Sequence, residues 1–394
     1  MRKKRKNIFY DIVVVGAGPT GIAFACSLAN TKLKIAIVEK LSKKNIANPK
    51  IDGREIALTH QSVKILRNLN VWQYISKKAI STIKEARVLD GDSPYFLNFN
   101  HHEIKKENLG YLIPNYIIKK IFYKKLKKLT NVTLISKTEC LSVNNSKEYC
   151  SITLSNGEKI KSSLIVAADS RFSKMRAKMG ISAFIHDFNK NMIVCRMKHK
   201  KNHQNIAYEF FRYDQTQASL PYIKNQSGII TTATNDMTSK LMKMDKNKFN
   251  KEMERSFNNF FGKMKLSGKR YSYPMITTYA KKFISNRFAV IGDAAVGMHP
   301  VTAHGFNLGL KSLEILMDKI KFAFKNKIDI GSSSILENYQ SKLRRIATPL
   351  YFTTNGIVNL YTSKILPAKI TRQFILRFVN TVKPAKQTFL NILK

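Results

Sequence analysis

Three short apolar runs, at residues 10–15, 163–168 and 288–291, suit strands that are buried on both faces. Each run ends where the chain turns polar, at Gly16, at Asp169 and at Gly292. A further strand pattern covers residues 34–38, and helical spacing of apolar residues occurs over 22–29, 62–70 and 115–126. The chain therefore contains several strand–turn–helix segments, and we expect their turns to carry the chemistry.

The first turn reads G-x-G-x-x-G, formed by Gly16, Gly18 and Gly21 between a strand and a helix. Gly16 permits the tight turn, Gly18 lets the backbone approach a pyrophosphate, and Gly21 lets helix and strand pack closely. Glu39 ends the next strand, where it can accept a hydrogen bond from a ribose hydroxyl. This context predicts dinucleotide binding, with FAD or NAD favoured over NADP because the residue at the ribose is acidic.

The stretch over residues 288–310 is another strand–turn–helix segment, with different polar residues in its turn and loop. A strand leads to the turn at Gly292 and Asp293, a loop with His299 and His304 follows, and a helix begins near Gly305 and Asn307. This arrangement presents a carboxylate and a helix N-terminus to one small ligand. The alternative is an ordinary strand–loop–helix with a glycine-rich connection.

A different pattern fills residues 183–279, where short segments alternate apolar and polar residues with few glycines. It predicts an inserted antiparallel sheet, interrupted by a helical stretch near residues 246–261. Earlier in the chain, Asn156-Gly157 lies between two strand patterns and predicts a hairpin with a type I′ turn.

The charge balance is extreme, with 69 Lys and Arg against 25 Asp and Glu, a formal net charge of +44. Such a charge favours anionic partners, either nucleic acid or an anionic membrane surface. Nucleic acid is unlikely because no nucleic-acid fold motif occurs. Because the lysines are spread along the whole chain rather than blocked, we favour drift in an AT-rich genome with a membrane contribution.

The four cysteines show no metal-ligand spacing, so we expect no metal site and buried, reduced thiols in a cytoplasmic protein. The basic N-terminus is not followed by a long apolar stretch and does not resemble a signal peptide. No run of about 18 apolar residues occurs, so no membrane-spanning segment is expected.

The last part of the chain is basic, with ten Lys or Arg and no acidic residue after Glu337. An apolar stripe recurs every four positions and is flanked by Lys369, Arg372 and Arg377; its members are Leu366, Ile370, Phe374, Phe378 and Val382, with Ile375 and Val379 widening it. This predicts a basic amphipathic helix ended by Pro384. It either packs on the protein's own core or docks on a membrane surface.

With these motifs in hand, the chain resembles the single-component, group A, FAD-dependent aromatic hydroxylases. Three stretches carry the resemblance, in this order: DGREIALTHQSVKILRNLNVW at 52–72, AADSRFSKMR at 167–176 and GDAAVGMHPVTAHGFNLGL at 292–310. Within that family the sequences of these stretches most resemble the ubiquinone-biosynthesis ring hydroxylases, and more narrowly the demethoxyubiquinol hydroxylase subgroup. Ser170, Val296 and His304 depart from the pattern of the broader family, so a substrate taken from that family is in doubt.

The resemblance implies an α/β (α+β composite) fold similar to that of para-hydroxybenzoate hydroxylase. A discontinuous, Rossmann-like FAD-binding domain would comprise residues 1–80, 111–182 and 283–345. An antiparallel-sheet substrate domain would comprise 81–110 and 183–282, and a basic amphipathic helical tail would cover 346–394.

The resemblance also implies roles for single residues. The three motif glycines would hold the pyrophosphate of one bound FAD, and Glu39 its adenosine ribose. Arg54 and Asp169 would contact the nucleotide and the path of the reductant, whereas Asp293 would bind the ribityl side. The helix start at Gly305 and Asn307 would face the pyrimidine edge of the flavin, where its positive end stabilises negative charge.

The implied reaction is hydroxylation of the aromatic ring of a prenylated quinol or phenol in ubiquinone biosynthesis. NAD(P)H would reduce the flavin transiently, and O2 would give a flavin peroxide that transfers one oxygen. His299 and His304 are the candidate catalytic bases, with His299 preferred; a loop histidine bonded to backbone is the alternative for each.

Two other functions remain open: a flavoprotein reductase or epoxidase acting on a prenyl lipid, and a non-catalytic flavin-binding component of a quinone-synthesis assembly. For partners, the resemblance and the charge imply the prenylated substrate, an anionic inner-membrane surface reached through the tail, and a quinone-synthesis complex. The expected location is the cytoplasm, or the inner face of the cytoplasmic membrane as a peripheral protein.

Overall fold

The structure, a computed structural model, describes residues 8–91, 96–212, 215–300 and 304–363, together with 367, 370–372, 375 and 386. Its strands form three sheets of eight, nine and three strands. The strands are β1 (Ile8–Val15), β2 (Ile35–Glu39), β3 (Glu55–Leu58), β4 (Ser81–Ile83), β5 (Glu85–Asp90), β6 (Phe96–Asn100), β7 (Gly110–Pro114), β8 (Val132–Ser136), β9 (Cys140–Asn145), β10 (Cys150–Leu154), β11 (Lys159–Ala167), β12 (Ala183–His199), β13 (Ile206–Arg212), β14 (Gln215–Pro221), β15 (Gln226–Thr234), β16 (Met264–Leu266), β17 (Tyr271–Ala280), β18 (Ile284–Ser285), β19 (Phe288–Val290) and β20 (Val296–Gly297).

The α-helices of the described residues lie between these strands and after them. They are α1 (Pro19–Ser27), α2 (Lys43–Ala47), α3 (His60–Asn68), α4 (Asn115–Leu126), α5 (Lys174–Lys178), α6 (Asn235–Lys243), α7 (Lys246–Ser256), α8 (His304–Lys325) and α9 (Ser333–Thr362). Side-chain caps begin several of them; the Thr59 hydroxyl, for example, accepts from the Ser62 N–H at 3.2 Å and starts α3.

The first sheet has the order β18-β19-β11-β1-β2-β8, with β9 and β10 added beside β11. Strands β19, β11, β1, β2 and β8 run parallel, so their carboxyl ends meet at one edge. Ile12, Val13 and Val14 of β1 are fully buried, which confirms the reading of this apolar run as a strand covered on both faces. The edge carries the ends of β1, β2, β11 and β19, where the three predicted turns lie.

The second sheet has the order β20-β17-β12-β15-β14-β13-β5-β6. Its strand pairs are antiparallel except that β5 and β13 run parallel. Strand β5 comes from a much earlier part of the chain than the strand it joins. One face packs under α6 and α7 through an aromatic cluster that includes Tyr208, Phe210, Phe257 and Phe261. The opposite face is directed toward α9, whose Tyr361 ring lies 4.3 Å from that of Phe211.

Two local predictions need correction. The helical stretch expected near 246–261 is α7, which ends at Ser256, and α6 precedes it. The hairpin at Asn156-Gly157 forms, but Gly157 has φ +82° whereas Asn156 does not enter the left-handed region, so the turn is not type I′. Asn156 Oδ1 instead accepts from the Glu158 N–H at 3.1 Å, which closes a longer loop.

The tail prediction is tested at few positions, since Leu366, Phe374, Phe378, Val379 and Val382 lie outside the described residues. Ile370, on the predicted stripe, is 60% exposed, whereas Arg372, expected beside it, is fully buried. Arg372 Nε lies 3.4 Å from Asp90 Oδ1, and its Nη1 donates to the carbonyls of Leu360 and Ser363. At Arg372 the tail therefore packs on the protein's own second sheet.

Candidate functional site

The glycine-rich turn between β1 and α1 is shaped so that side chains are excluded. Gly16 has φ +109°, and a Cβ there would lie 2.5 Å from the Ala168 carbonyl oxygen. A Cβ on Gly21 would lie 2.1 Å from the Gly16 oxygen, whereas the space beside Gly18 is open. The backbone can thus approach a pyrophosphate at the N-terminus of α1, and the cradle fits the dinucleotide predicted from the motif.

Glu39 lies beside this cradle. Its Oε2 accepts from the Ala17 N–H at 2.7 Å and its Oε1 from the Leu41 N–H at 2.9 Å. These bonds fix the carboxylate at the end of β2, beside the glycine turn. A carboxylate has about four acceptor positions, so capacity remains for ribose hydroxyls.

Asp169 lies at the end of β11. Its Oδ2 accepts from the Met175 N–H of α5 at 3.2 Å, and its Oδ1 is buried without a hydrogen bond to any described residue. A buried carboxylate oxygen normally has a partner, so this one fits a ligand group. That agrees with the cofactor role predicted for Asp169.

Two arginines after Asp169 connect the second motif to the third. Arg176 Nη1 donates to the Ala294 carbonyl at 2.7 Å, and burial lowers the pKa of Arg176, partly offset by the charge of Asp169. Arg171 Nη2 lies 3.5 Å from Asp293 Oδ2, and its Nη1 donates to the Ile276 carbonyl at 2.6 Å. Sequence reasoning assigned neither arginine a role, although both stand in the AADSRFSKMR stretch.

Asp293 lies in a short 3-10 turn, Gly292–Ala294, where β19 ends. Gly292 has φ +60°, and a Cβ on it would lie 2.9 Å from the Thr20 side chain of α1. Gly309 of α8 approaches the same threonine, since its Cβ would lie 3.2 Å from Thr20 Oγ1. The first and third motifs therefore meet at Thr20, which brings the Asp293 turn and α8 beside the cradle.

Arg54 is held by neighbouring side chains although its own side chain is 40% exposed. Its Nη2 lies 2.8 Å from Asp52 Oδ2, and its guanidinium lies 5.2 Å from the centre of the Tyr273 ring. Burial acts to raise the pKa of Asp52, but Arg54, Asn115 and Lys119 outweigh it and hold that pKa below its usual value. Arg54 is thus positioned by partners on β17 and α4 that the motif alone did not indicate.

The side chain of Asn307 is engaged by the protein itself. Its Oδ1 accepts from the Thr59 N–H at 3.1 Å and from Ser62 Oγ at 2.6 Å, and its Nδ2 donates to the Ala57 carbonyl at 2.9 Å. It ties the first turn of α8 to β3 and α3. Any contribution of Asn307 and Gly305 to ligand binding therefore comes from the backbone at the start of α8.

His299 borders a cavity of about 240 Å³ between the second sheet and α9. The Phe188 ring packs edge-on against His299, with ring centres 5.0 Å apart. Burial, with the charges of Arg171, Lys190 and His186, lowers the pKa of His299 to about 3. The imidazole is therefore neutral at physiological pH and can donate or accept a hydrogen bond.

His304 occupies a different place. It is buried at the first position of α8 and is not among the described residues that line the cavity. Of the two candidate bases, His299 alone is among the described residues that line the cavity, and the catalytic role of each stays a prediction.

Comparison with known proteins decides the family. The model of the FAD binding domain family matches residues 10–352. The chain belongs to this family. It is 40% identical over 385 residues to ubiquinone hydroxylase UbiM of Neisseria meningitidis, which covers 97% of this chain and 84% of that protein. It is 27% identical to ubiquinone hydroxylase UbiL of Rhodospirillum rubrum, with 96% and 88% covered.

Solved structures agree on the fold. The p-nitrophenol 4-monooxygenase PnpA of Pseudomonas putida superposes with a TM-score of 0.78 at 14% identity over 97% of each chain. PqsL of Pseudomonas aeruginosa gives a TM-score of 0.76 at 13% identity, over 90% of this chain and 97% of that one. The predicted resemblance and composite α/β fold are confirmed. The protein is an FAD-dependent monooxygenase, a class for which NAD(P)H and O2 are typical co-substrates.

The sequence predictions also concerned the cysteines, metal sites and membrane-spanning segments. The four cysteines, Cys26, Cys140, Cys150 and Cys195, are buried and unlinked, and burial raises their thiol pKa values to about 11 or 12. Within the described ranges no group of three or more His, Cys, Asp or Glu could hold a metal ion. Nor does that part of the chain contain a helix long and apolar enough to cross a bilayer.

Proposed function

We propose that this protein hydroxylates the aromatic ring of a prenylated quinol or phenol intermediate in ubiquinone biosynthesis, as a demethoxyubiquinol hydroxylase does. The observation that carries the proposal is the 40% identity to ubiquinone hydroxylase UbiM along 97% of the chain. The departures from the broader family, at Ser170, Val296 and His304, are compatible with it because the likeness to UbiM spans all three motifs.

The cavity beside His299 supports an aromatic substrate. Its walls include the rings of Phe188 and Phe211 and the hydroxyls of Thr216 and Thr232. An apolar cavity of about 150 Å³ holds a benzene molecule. The 240 Å³ measured here accommodates a substituted ring, and a prenyl tail must extend beyond it.

FAD, when bound, would pass the electrons of NAD(P)H to oxygen and supply the oxygen-activating chemistry. The protein's own part is to hold the ring and exclude water. Phe188 and Phe211 would present apolar surface to the ring, and exclusion of water by the bound substrate would limit the loss of activated oxygen to solvent.

His299 is suited to bind the ring hydroxyl as a neutral acceptor. Because its pKa is near 3, it orients and polarises the O–H without carrying a positive charge at neutral pH. Only the neutral imidazole has a free ring nitrogen that can accept a hydrogen bond from the ring hydroxyl.

The test uses the purified FAD-loaded protein with NAD(P)H, a short-tailed demethoxy quinol and isotopically labelled oxygen gas. We expect one labelled oxygen atom on the ring fragment of the product in mass spectrometry. A product that gains only hydrogen would instead identify a reductase, and oxygen on the tail fragment would identify an epoxidase. Either result would contradict the proposal.

We also propose that the protein is a cytoplasmic protein that docks on the anionic inner membrane surface. The net charge of +44 supports this, and so does an exposed aromatic pair beside a basic side chain. Phe184 and Phe352 are each more than half exposed and both lie beside Tyr279, and Lys281 Nζ lies 5.2 Å from the centre of the Phe184 ring. The predicted basic tail would add to this surface, and a quinone-synthesis complex is a further proposed partner.

Vesicle sedimentation tests the membrane proposal. We expect the full chain to sediment with vesicles that contain anionic lipid, less so at high salt and not with neutral vesicles. Truncation after Leu366 and a Phe184→Ser, Phe352→Ser variant separate the contributions of the tail and of the exposed aromatic pair. Equal sedimentation with neutral and anionic vesicles would refute the electrostatic part.

A further inference from the structure

Glu209 is an acidic residue in the middle of β13, in the second sheet. It pairs with Ala218 of β14, and Phe211 pairs with Thr216 of the same strand. Directly paired residues and residues two apart on a strand lie on the same face of a sheet. Glu209 therefore shares the face of Phe211 and Thr216, both of which line the cavity, and stands about 7 Å along the strand from Phe211.

The directly paired neighbours of Glu209 on this face are apolar, and the Asp90–Arg372 ion pair lies two residues along β5 from one of them, Val88. Its neighbour on β5 is Val88, its neighbour on β14 is Ala218, and Ile230 of β15 lies beyond Ala218. Tyr208 and Phe210, which flank it in sequence, point to the opposite face and join the aromatic cluster under α7. A carboxyl at this position is thus placed among aliphatic side chains on the cavity face.

Glu209 makes no hydrogen bond or ion pair with any described residue, and it is partly accessible. Burial nevertheless raises its pKa well above the usual value for glutamate, with no cation opposing the shift. Glu209 is not itself among the described residues that line the cavity; it stands two residues from Phe211 on the same face of β13. The shift favours the protonated form, in which a carboxyl can both donate and accept a hydrogen bond.

We propose that Glu209 is a substrate-binding residue whose carboxyl hydrogen-bonds a ring oxygen of the substrate. This inference rests on the proposed function, since it takes the ligand to be a ring that carries hydroxyl or keto oxygen. Glu209 would contact the ring from the sheet, whereas His299 contacts the cavity from the loop after β20. A ring held at two oxygens has a fixed orientation, so Glu209 would help to determine which ring carbon is hydroxylated.

The experiment compares two ligands that differ only in the hydroxyl: ortho-geranylphenol and geranylbenzene. Calorimetry gives the dissociation constant of each for the FAD-loaded wild type and for Glu209→Leu and Glu209→Gln. We expect Glu209→Leu to bind the phenol about tenfold more weakly, because one hydrogen bond to a buried hydroxyl is lost, and to bind geranylbenzene unchanged. Glu209→Gln keeps a donor and an acceptor, so its affinity for the phenol should stay within about threefold of wild type.

Glu85→Leu serves as the matched control, because Glu85 lies on the neighbouring strand β5 but pairs with Ile206 and Arg87 away from this face. FAD content and melting temperature are measured for every variant. The proposal is overturned if Glu209→Leu binds the phenol as wild type does, if it loses FAD, or if it weakens both ligands equally. A wild type that does not prefer the phenol to geranylbenzene overturns the proposed function as well, which distinguishes the two failures.

Discussion

The ion pair between Glu55 of β3 and Arg196 of β12 joins the three-stranded sheet to the second sheet. Glu55 Oε1 lies 2.6 Å from Arg196 Nη2 and accepts from Arg196 Nε at 2.8 Å. The Glu55 side chain is only 2% exposed and that of Arg196 is 22% exposed. Burial raises the pKa of Glu55 even though Arg196 acts to lower it, so the carboxylate depends on this one cation.

Replacing Arg196 by methionine keeps much of the apolar stem but leaves the carboxyl without its cation. Breaking a buried pair on one side costs about 3–5 kcal/mol. We expect the free energy of unfolding at pH 8 to fall by about 3 kcal/mol. This is the lower end of that range, because the Arg196 side chain is partly exposed to water. The double variant Glu55→Gln, Arg196→Met removes both charges and should recover most of this loss, which separates the pair from the Arg196–Tyr222 stacking at 4.1 Å.

The loss should depend on pH with a definite sign. A carboxyl whose pKa in the folded protein lies above its unfolded value binds more protons when folded, so stability falls as pH rises through that window. Losing Arg196 raises the pKa of Glu55 further. The deficit of Arg196→Met relative to wild type should therefore be small at pH 5 and largest at pH 8.

Urea unfolding of the FAD-loaded proteins at these two pH values, followed by the fluorescence of Trp72, measures the difference. The reasoning is refuted if Arg196→Met is as stable as wild type at pH 8, or if its deficit is the same at both pH values. A double variant no more stable than Arg196→Met would also contradict it, because the cost would then not come from the unpaired carboxyl.

Three further predictions concern the cradle, the cavity and the buried histidines. Gly21→Ala places a Cβ 2.1 Å from the Gly16 oxygen, so we expect the purified protein to lose most of its FAD, seen as a fall in flavin absorbance relative to protein; retained flavin would contradict the cradle. His299→Ala should keep FAD but form several-fold less product per NAD(P)H consumed, measured as hydrogen peroxide released; unchanged coupling would remove His299 from the mechanism. Burial, with the charge of His199, lowers the pKa of His203 to about 4, so the unfolded state takes up the proton first and stability is lost as pH falls from about 6.5 toward 4. At pH 5 the His203→Gln variant should lose about 2 kcal/mol less of its free energy of unfolding than wild type does. Urea midpoints that depend on pH in the same way for the two proteins would disprove this.

Features fixed by short-range sterics could be predicted from the sequence. The spacing of Gly16, Gly18 and Gly21 indicates a cradle because neighbouring backbone excludes a side chain at two of the three positions. The buried parallel strands follow from continuous apolar runs for a similar local reason, since both faces must be covered.

Features that depend on distant partners could not be predicted in this way. Glu55 and Arg196 are 141 residues apart, and Ser62 and Asn307 are 245 apart. Nothing in either local pattern indicates its partner. The same holds for Glu209, whose place on the cavity face follows only from the register of β13 with β14.

The tail shows a further limit of periodicity. The stripe predicted Ile370 to face a partner surface and Arg372 to lie beside it, but Arg372 is the buried one. An arginine can be buried when an acidic residue and backbone carbonyls receive it, and Asp90, Leu360 and Ser363 do so here. The hydrophobic pattern carries no information on such ion-pair and hydrogen-bond partners.

The central claim is ring hydroxylation in ubiquinone biosynthesis, and a mass profile of quinone intermediates tests it most directly. The gene is expressed in a bacterium that lacks one ring hydroxylase, with and without the Gly21→Ala change as a matched flavin-binding control. We predict that the accumulated demethoxy intermediate becomes one oxygen heavier and matures to ubiquinone only with the unchanged gene. An unaltered profile, in cells that contain the flavin-loaded protein, would contradict the claim.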